Sequence, residues 1–358
     1  MFLKFFGLRE QPFGVTPDPR FLYLSPAHRE ALASLYYGIE SGRGFLALIA
    51  KPGMGKTTLL FHLLEKFRTT ARTAFLFQTQ CTSREFMRFL LAELGYETGD
   101  HDFVRMHEEF NRHLLQEARA GNRFIVVVDE AQNLDASVLE TIRLLSDFET
   151  PRAKLLQIVL AGQPELADKL ASRQLAQLRQ RVSLLNGLKS LSATETKNYV
   201  QHRLKVAGHQ GENLFTAPAM AAIADFTEGI PRNINNFCFN ALSLAYALRQ
   251  TTIDAAIVQE VISDLDITQH LSDSWGTGPA TAMGTPVDHN HIEYEQMAGR
   301  NLDRDGEASG NGHSHADRME SLFTPGPAPR RPRTGGTLTP AEARAYLEQV
   351  ARSLKSWS

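Results

Sequence analysis

Residues 44–67, GFLALIAKPGMGKTTLLFHLLEKF, pass from an unbroken apolar run through a glycine turn into a helical pattern. No other feature of the chain constrains its fold as much. An apolar run of this length, bounded by turn residues, is the size of a strand buried on both faces. Three more runs of the kind follow, at 73–79 (TAFLFQT), 123–129 (RFIVVVD) and 155–162 (LLQIVLAG). Helical patterns separate them. Such alternation predicts an α/β fold built on a parallel sheet.

The turn is Ala50-Lys51-Pro52-Gly53-Met54-Gly55-Lys56-Thr57-Thr58. It fits the pattern G-x-x-x-x-G-K-[ST] except at the first position, where Ala50 replaces glycine. That position only turns the chain out of the strand, and alanine can do so if its φ is negative. Gly53 and Gly55 let backbone N–H groups wrap an anion, and the helix N-terminus adds the positive end of its dipole. Lys56 is placed to reach β- and γ-phosphates and Thr57 to ligate Mg²⁺. Residues 50–58 are therefore the expected cradle for ATP.

Four further signals point to the same chemistry. Asp129 ends an apolar strand and Glu130 follows it. In a phosphate-loop protein the aspartate holds the magnesium shell, and the adjacent glutamate can polarise an attacking water. A glutamate there favours hydrolysis over transfer to a metabolite. After the fourth strand, LAGQPEL offers Gln163 as a sensor of the γ-phosphate, or merely as the residue before a helix opened by Pro164. QLAQLRQRVSL places Arg179 and Arg181 at a helix end, before what reads as a fifth strand. Either one can serve as a finger reaching a neighbouring subunit's phosphate, or as part of a solvated basic turn. In EGIPRNINN, Pro231 opens a helix with Arg232 in its first turn. A cation is disfavoured there unless an anion faces it.

DEAQ at 129–132 and SAT at 192–194 look like helicase boxes. The second is better explained as a capping box, with Ser192 as N-cap and Glu195 three residues on. No arginine-rich helicase motif follows.

The organisation along the chain has four parts. Residues 1–190 comprise an N-terminal segment and the α/β core. Residues 191–267 contain only helical patterns and read as a small all-α lid. Residues 268–337 are rich in Gly, Ser, Asp, His and Pro and predict a disordered linker. Residues 338–358 predict an amphipathic helix: Thr339 as N-cap, Pro340 at the first position, and Leu347, Val350, Ala351 and Leu354 on one face. It is either a docking peptide or a marginal helix without a partner.

Composition excludes several classes. A net charge of −2 over 358 residues gives no global basic footprint for nucleic acid. The two cysteines, Cys81 and Cys238, lack metal-ligand spacing and read as reduced thiols. No apolar run approaches the ~20 residues that span a bilayer, and MFLKFFGLREQPF lacks a cleavage pattern. The expected location is cytoplasmic, with any attachment to the inner membrane made through a partner.

With these pieces in order, the chain resembles the AAA+ superfamily: a RecA-like phosphate-loop core with a parallel sheet, followed by a helical lid bearing a sensor arginine. The segment FFGLREQPFGVTPDPRFLYLSPAHREALASLYYGIESGRGF resembles the GspA/ExeA-type branch, as do LLSDFET, LLQIVLAGQPELADKL, LRQRV and GIPRNINNFC. The resemblance covers about residues 1–267. It implies ATP and Mg²⁺ as ligands and a homo-oligomer in which ATP bridges two subunits. It also implies that residues around Pro12 and Phe13 line the adenine pocket. Members of this branch often continue into a membrane helix and a peptidoglycan-binding domain; a linker and a short helix stand here instead.

Three functions follow as expectations. The first is an ATPase that assembles or remodels a secretion, cell-envelope or exopolysaccharide-export complex through a protein partner. The second is an ATPase on duplex DNA, acting in transposition or another DNA transaction. The third is a nucleotide switch with negligible turnover.

Overall fold

Five strands form one parallel sheet: β1 (Phe45–Ile49), β2 (Ala71–Leu76), β3 (Arg123–Val128), β4 (Leu156–Gly162) and β5 (Val182–Gly187). The computed structural model describes residues 2–77, 79–99, 101–150, 153–211 and 213–275. The spatial order of the strands is β2-β3-β4-β1-β5. The second strand starts two residues earlier than its apolar run suggests, at Ala71, and ends at Leu76. β4 is buried at every position and β3 at all but its first, which is why both read as continuous apolar runs. β5 alternates between half-buried and exposed residues, as an edge strand does. A short antiparallel hairpin, Glu149–Thr150 with Ala153–Lys154, precedes β4.

Helices cover both faces of the sheet. On one side, α1 (Pro26–Glu40) and α2 (Lys56–Glu65) pack on Leu46, Leu48, Ile125 and Val127. Gly38 lets α1 lie close, since a Cβ there would sit 2.6 Å from Leu46. On the other side, α3 (Ser83–Glu93), α4 (Phe103–Arg119) and α5 (Ala136–Leu145) pack on Phe45, Phe124, Val126 and Ile158. Each buried Leu, Ile or Phe contributes about 1.5–3 kcal/mol of apolar transfer. The strand order sets the ends of β1, β4 and β3 side by side. In open parallel sheets, ligands bind at such carboxyl ends.

The core's last helices before β5 are α6 (Pro164–Ala171) and α7 (Ala176–Arg181). Beyond β5 the chain is helical: α8 (Ala193–Val206), α9 (Ala217–Phe226), α10 (Pro231–Ala247) and α11 (Ala255–Trp275). The Ser192–Glu195 capping box is formed, each residue bonding the other's backbone. α11 runs to Trp275, past the boundary expected at 267, so the opening of the expected linker is helical. The remainder of that linker and the 338–358 helix lie outside the described residues.

The N-terminal segment departs from its expected grouping. It precedes the core in sequence but packs with the lid: Phe6, Leu8, Phe13 and Phe21 share one apolar cluster with Tyr199, Leu204, Phe215 and Phe237. The Arg9 amide donates to the Ala207 carbonyl at 2.8 Å, and the Arg203 guanidinium donates to the Pro12 carbonyl at 2.5 Å. The segment is a strap tying lid to core.

The turn before α10 closes on the start of the lid at Gly229. Its φ is +65°, and a Cβ there would lie 1.9 Å from the Leu191 carbonyl oxygen, whose own amide donates to the Gly229 carbonyl at 2.9 Å. Gly229→Ala is therefore expected to cost more than about 2 kcal/mol, combining left-handed strain with a backbone clash. Gly187→Ala, with only an ordinary contact at 3.7 Å, serves as the control. Urea unfolding midpoints of the two variants check this.

Candidate functional site

The turn after β1 lies across the carboxyl end of the sheet. Ala50 is buried, its amide donates to the Gly162 carbonyl at 3.0 Å, and its φ is not positive. Alanine thus fits the first position of the turn without strain. Gly53 and Gly55 have φ of +76° and +84°, the left-handed region glycine enters freely. Lys51 and Pro52 are exposed at the rim, Met54 is buried beneath, and Thr57 and Thr58 are half-buried on the first turn of α2. The Lys56 ammonium is buried and donates to the Ala50 carbonyl at 3.1 Å. Its charge sits inside the curve of the loop.

Asp129 follows β3 and is 1% exposed. Thr57 Oγ1 donates to its Oδ2 at 2.5 Å, and the Glu130 amide donates to its Oδ1 at 2.9 Å. Burial pushes the Asp129 carboxyl above its ordinary range, against the pull of those two donors. A buried carboxylate beside a hydroxyl, with the charge incompletely compensated, is a hard-oxygen pair suited to Mg²⁺. Among the described residues no cluster of three His, Cys, Asp or Glu could hold a metal alone. Magnesium in phosphate sites takes one or two protein ligands and completes its shell with waters and phosphates, so the donor set fits.

Glu130 is half-buried at φ +50°, a conformation uncommon outside glycine. Its Oε2 accepts from Gln132 Nε2 at 2.6 Å and from Gln163 Nε2 at 3.1 Å. Burial favours the neutral acid, but the two amide donors and the fields of Lys56 and Arg232 outweigh it, so the group stays below its ordinary pKa. Gln163 stands at the N-cap position of α6 yet makes no side-chain cap; its side chain faces Glu130 instead.

Arg232 arrives from the lid. Its amide donates to the Gly53 carbonyl at 3.1 Å, and its side chain borders the cleft between turn and lid. That cleft encloses about 400 Å³, within the range of small-molecule sites. Pro12 and Phe13 do not line it: Phe13 is buried against Phe215 in the lid cluster. The next residues, Gly14–Asp18, form the wall instead, facing Tyr23, His28, Tyr199, Arg203 and Asn235.

Arg179 and Arg181 lie away from the cleft. Arg181 pairs with Asp147 and donates to Ser146 Oγ at 3.0 Å. Arg179 is exposed and donates to the Ala171 carbonyl at 2.9 Å.

Sequence reading missed Gln132, His28, Tyr199, Arg203 and Asn235. Gln132 was visible as the fourth letter of DEAQ but had no assigned partner. The others are ordinary polar residues on helices, and only the tertiary fold turns them inward.

Comparison with known proteins gives the family context. The AAA domain model matches residues 39–170. General secretion pathway protein A of Aeromonas hydrophila is 41% identical over 249 residues, covering 69% of this chain and 45% of that protein. An uncharacterized HTH-type transcriptional regulator of Methanocaldococcus jannaschii is 28% identical over 160 residues, covering 43% of this chain and 38% of that protein. The chain thus spans less than half the length of the curated relatives it matches. Among solved structures, the ADP form of the Aeropyrum pernix ORC2 protein superposes with a TM-score of 0.57 at 15% identity, over 84% of this chain and 87% of that one. Drosophila ORC bound to DNA gives 0.55 at 16% identity, over 74% and 66%. These likenesses are of fold.

The Thr57–Asp129 bond sets a test. Thr57→Val leaves a buried carboxylate short of a donor and is expected to destabilise the fold by about 1–3 kcal/mol. Thr58→Val, which breaks no such bond, is expected to change little. Chemical denaturation of both variants reads the difference.

Proposed function

Since the chain belongs to the AAA+ family, in the branch of general secretion pathway protein A, we propose that it binds and hydrolyses ATP to drive assembly or remodelling of a secretion or cell-envelope complex. Export machinery for exopolysaccharide belongs to the same class of client. The observation that supports this reading is the convergence of Lys56, the Thr57–Asp129 pair, Glu130 with Gln163, and Arg232 on one cleft.

In this reading residues 50–58 wrap the phosphates, and Lys56 leaves the Ala50 carbonyl to bond the β- and γ-oxygens. Thr57 and Asp129 would hold Mg²⁺, and the ion would supply neutralisation of phosphate charge there. Glu130 orients a water and takes its proton as the water oxygen attacks the γ-phosphorus. The bond from that phosphorus to the β-bridging oxygen breaks, leaving ADP and phosphate. Gln163 reports the γ-phosphate to Glu130. Arg232 brings the lid onto the same phosphate, and an arginine at the end of α7 in a neighbouring subunit completes the charge. Turnover therefore needs a homo-oligomer, and loss of the γ-phosphate changes the angle between core and lid. The site of action is cytoplasmic, with the inner membrane reached through a partner. Among the described residues no helix is long and apolar enough to cross a membrane.

Steady-state ATP turnover across protein concentration, with and without duplex DNA, tests the proposal. Specific activity is expected to rise with protein concentration and to ignore DNA. Lys56→Ala is expected to abolish nucleotide binding. Glu130→Gln should keep ATP bound and lose roughly 100-fold or more in turnover. Fast turnover in Glu130→Gln would remove the role given to that carboxylate. Strong, salt-sensitive stimulation by DNA would replace the envelope reading with that of a DNA-transaction ATPase, because phosphate contacts release counterions.

A further inference from the structure

The backbone of the turn is fixed through its carbonyls. Lys56 Nζ bonds the Ala50 oxygen, and the Arg232 amide bonds the Gly53 oxygen. The Met54 oxygen has a different partner: His28 Nε2, at 3.0 Å, from the first turn of α1. His28 is 3% exposed and borders the cleft.

The geometry fixes the imidazole's proton. A carbonyl oxygen only accepts, so Nε2 carries the hydrogen and donates to Met54. Nδ1 lies 2.7 Å from Ser25 Oγ and accepts that hydroxyl's hydrogen. Ser25 is free to donate because, as N-cap of α1, its oxygen accepts the His28 amide at 3.3 Å. Burial favours the neutral ring that this arrangement needs. One serine thus caps the helix and sets the tautomer of the histidine beside it.

A peptide unit is planar and trans, so its C=O and N–H point in opposite directions. Holding the Met54 oxygen toward α1 therefore turns the Gly55 N–H the other way, toward the concave side of the loop. Gly55, at φ +84°, is free to accept that orientation. Without the anchor, the same glycine freedom lets the 54–55 peptide flip, and the N–H leaves the cradle.

From this we infer that His28 is a positioning residue for nucleotide: through Met54 it holds the Gly55 N–H in line for the phosphate chain. This rests on the nucleotide-binding reading above and adds a residue outside the glycine-rich motif to its machinery.

The test is equilibrium binding of a fluorescent ADP and steady-state ATP kinetics on the full chain, comparing wild type, His28→Ala, His28→Gln and Lys56→Ala. The Gln amide nitrogen reaches where imidazole Nε2 stands and can donate to Met54. His28→Ala is expected to weaken ADP about tenfold, the scale of one lost hydrogen bond. The KM for ATP should rise in parallel and kcat should fall less. His28→Gln should recover most of the loss. Three results overturn the inference: unchanged ADP affinity in His28→Ala, failure of His28→Gln to recover, or fewer binding sites at unchanged affinity, which marks a folding role only. Wild type that binds ADP no better than Lys56→Ala would instead sink the nucleotide reading itself.

Discussion

Gly53 has no side chain, and the helix that opens at Pro231 occupies the place where one would be. A Cβ on Gly53 would sit 2.6 Å from Arg232 Cβ and 3.2 Å from the Ile230 side chain. The Gly53 carbonyl accepts the Arg232 amide, one of the four donors every helix N-terminus leaves without an internal partner. Loop and lid therefore complete each other's backbone bonding. Much of the molecule follows from this seat. The lid must be close-packed enough to hold it, so Ile234, Phe237, Cys238, Ala241 and Leu242 of α10 are fully buried. The cleft must lie where strap, loop and lid meet. An anion entering that cleft meets two helix N-termini at once, from α2 and from α10.

The strap has a matching requirement. Arg203 is 8% exposed, and among the described residues no carboxylate pairs with it. A buried unpaired guanidinium is costly unless its donors are satisfied and its charge is spread over polarisable neighbours. Arg203 meets both conditions. It donates to the Pro12 carbonyl and to Tyr199 Oη at 3.0 Å, and its guanidinium carbon lies 4.9 Å from the Phe21 ring centre. Tyr199 Oη donates on to Asn235 at 2.8 Å. The chain of bonds links strap, α8 and α10 into one body, and α10 carries Arg232. Motion of the lid is then motion of the strap as well.

How much of this was legible in the sequence depends on whether the signal was local. Four of the five strands were, because each writes a compact apolar run; β5, an edge strand with no fully buried position, was legible only from its place after α7. The glycine turn, Asp129 and Glu130 were, because phosphate chemistry demands fixed residue types at fixed spacing. Partner choice was not. Phe6, Leu8 and Phe13 announce burial, but nothing in their spacing says whether core or lid buries them; the lid does. Residues around Pro12 and Phe13 were expected at the adenine pocket; the adjoining Gly14–Asp18 line the cleft, while Phe13 itself turns into the lid cluster. His28 and Arg203 carried no sequence signal at all. Their roles come from backbone carbonyls that any residue could supply.

Arg179 and Arg181 show how the fold narrows a choice the sequence left open. Both close α7 on the molecule's surface, and neither borders the cleft of its own chain. Arg181 already has a carboxylate, Asp147, and a hydroxyl, Ser146. Moving it to another subunit's phosphate would first break an ion pair. Arg179 is held by a single carbonyl and is exposed; it would exchange one weak neutral bond for a charge-assisted one. If a neighbour's nucleotide takes an arginine from this helix, Arg179 is the one that moves at the smaller cost, with Arg181 fixing the helix end that presents it.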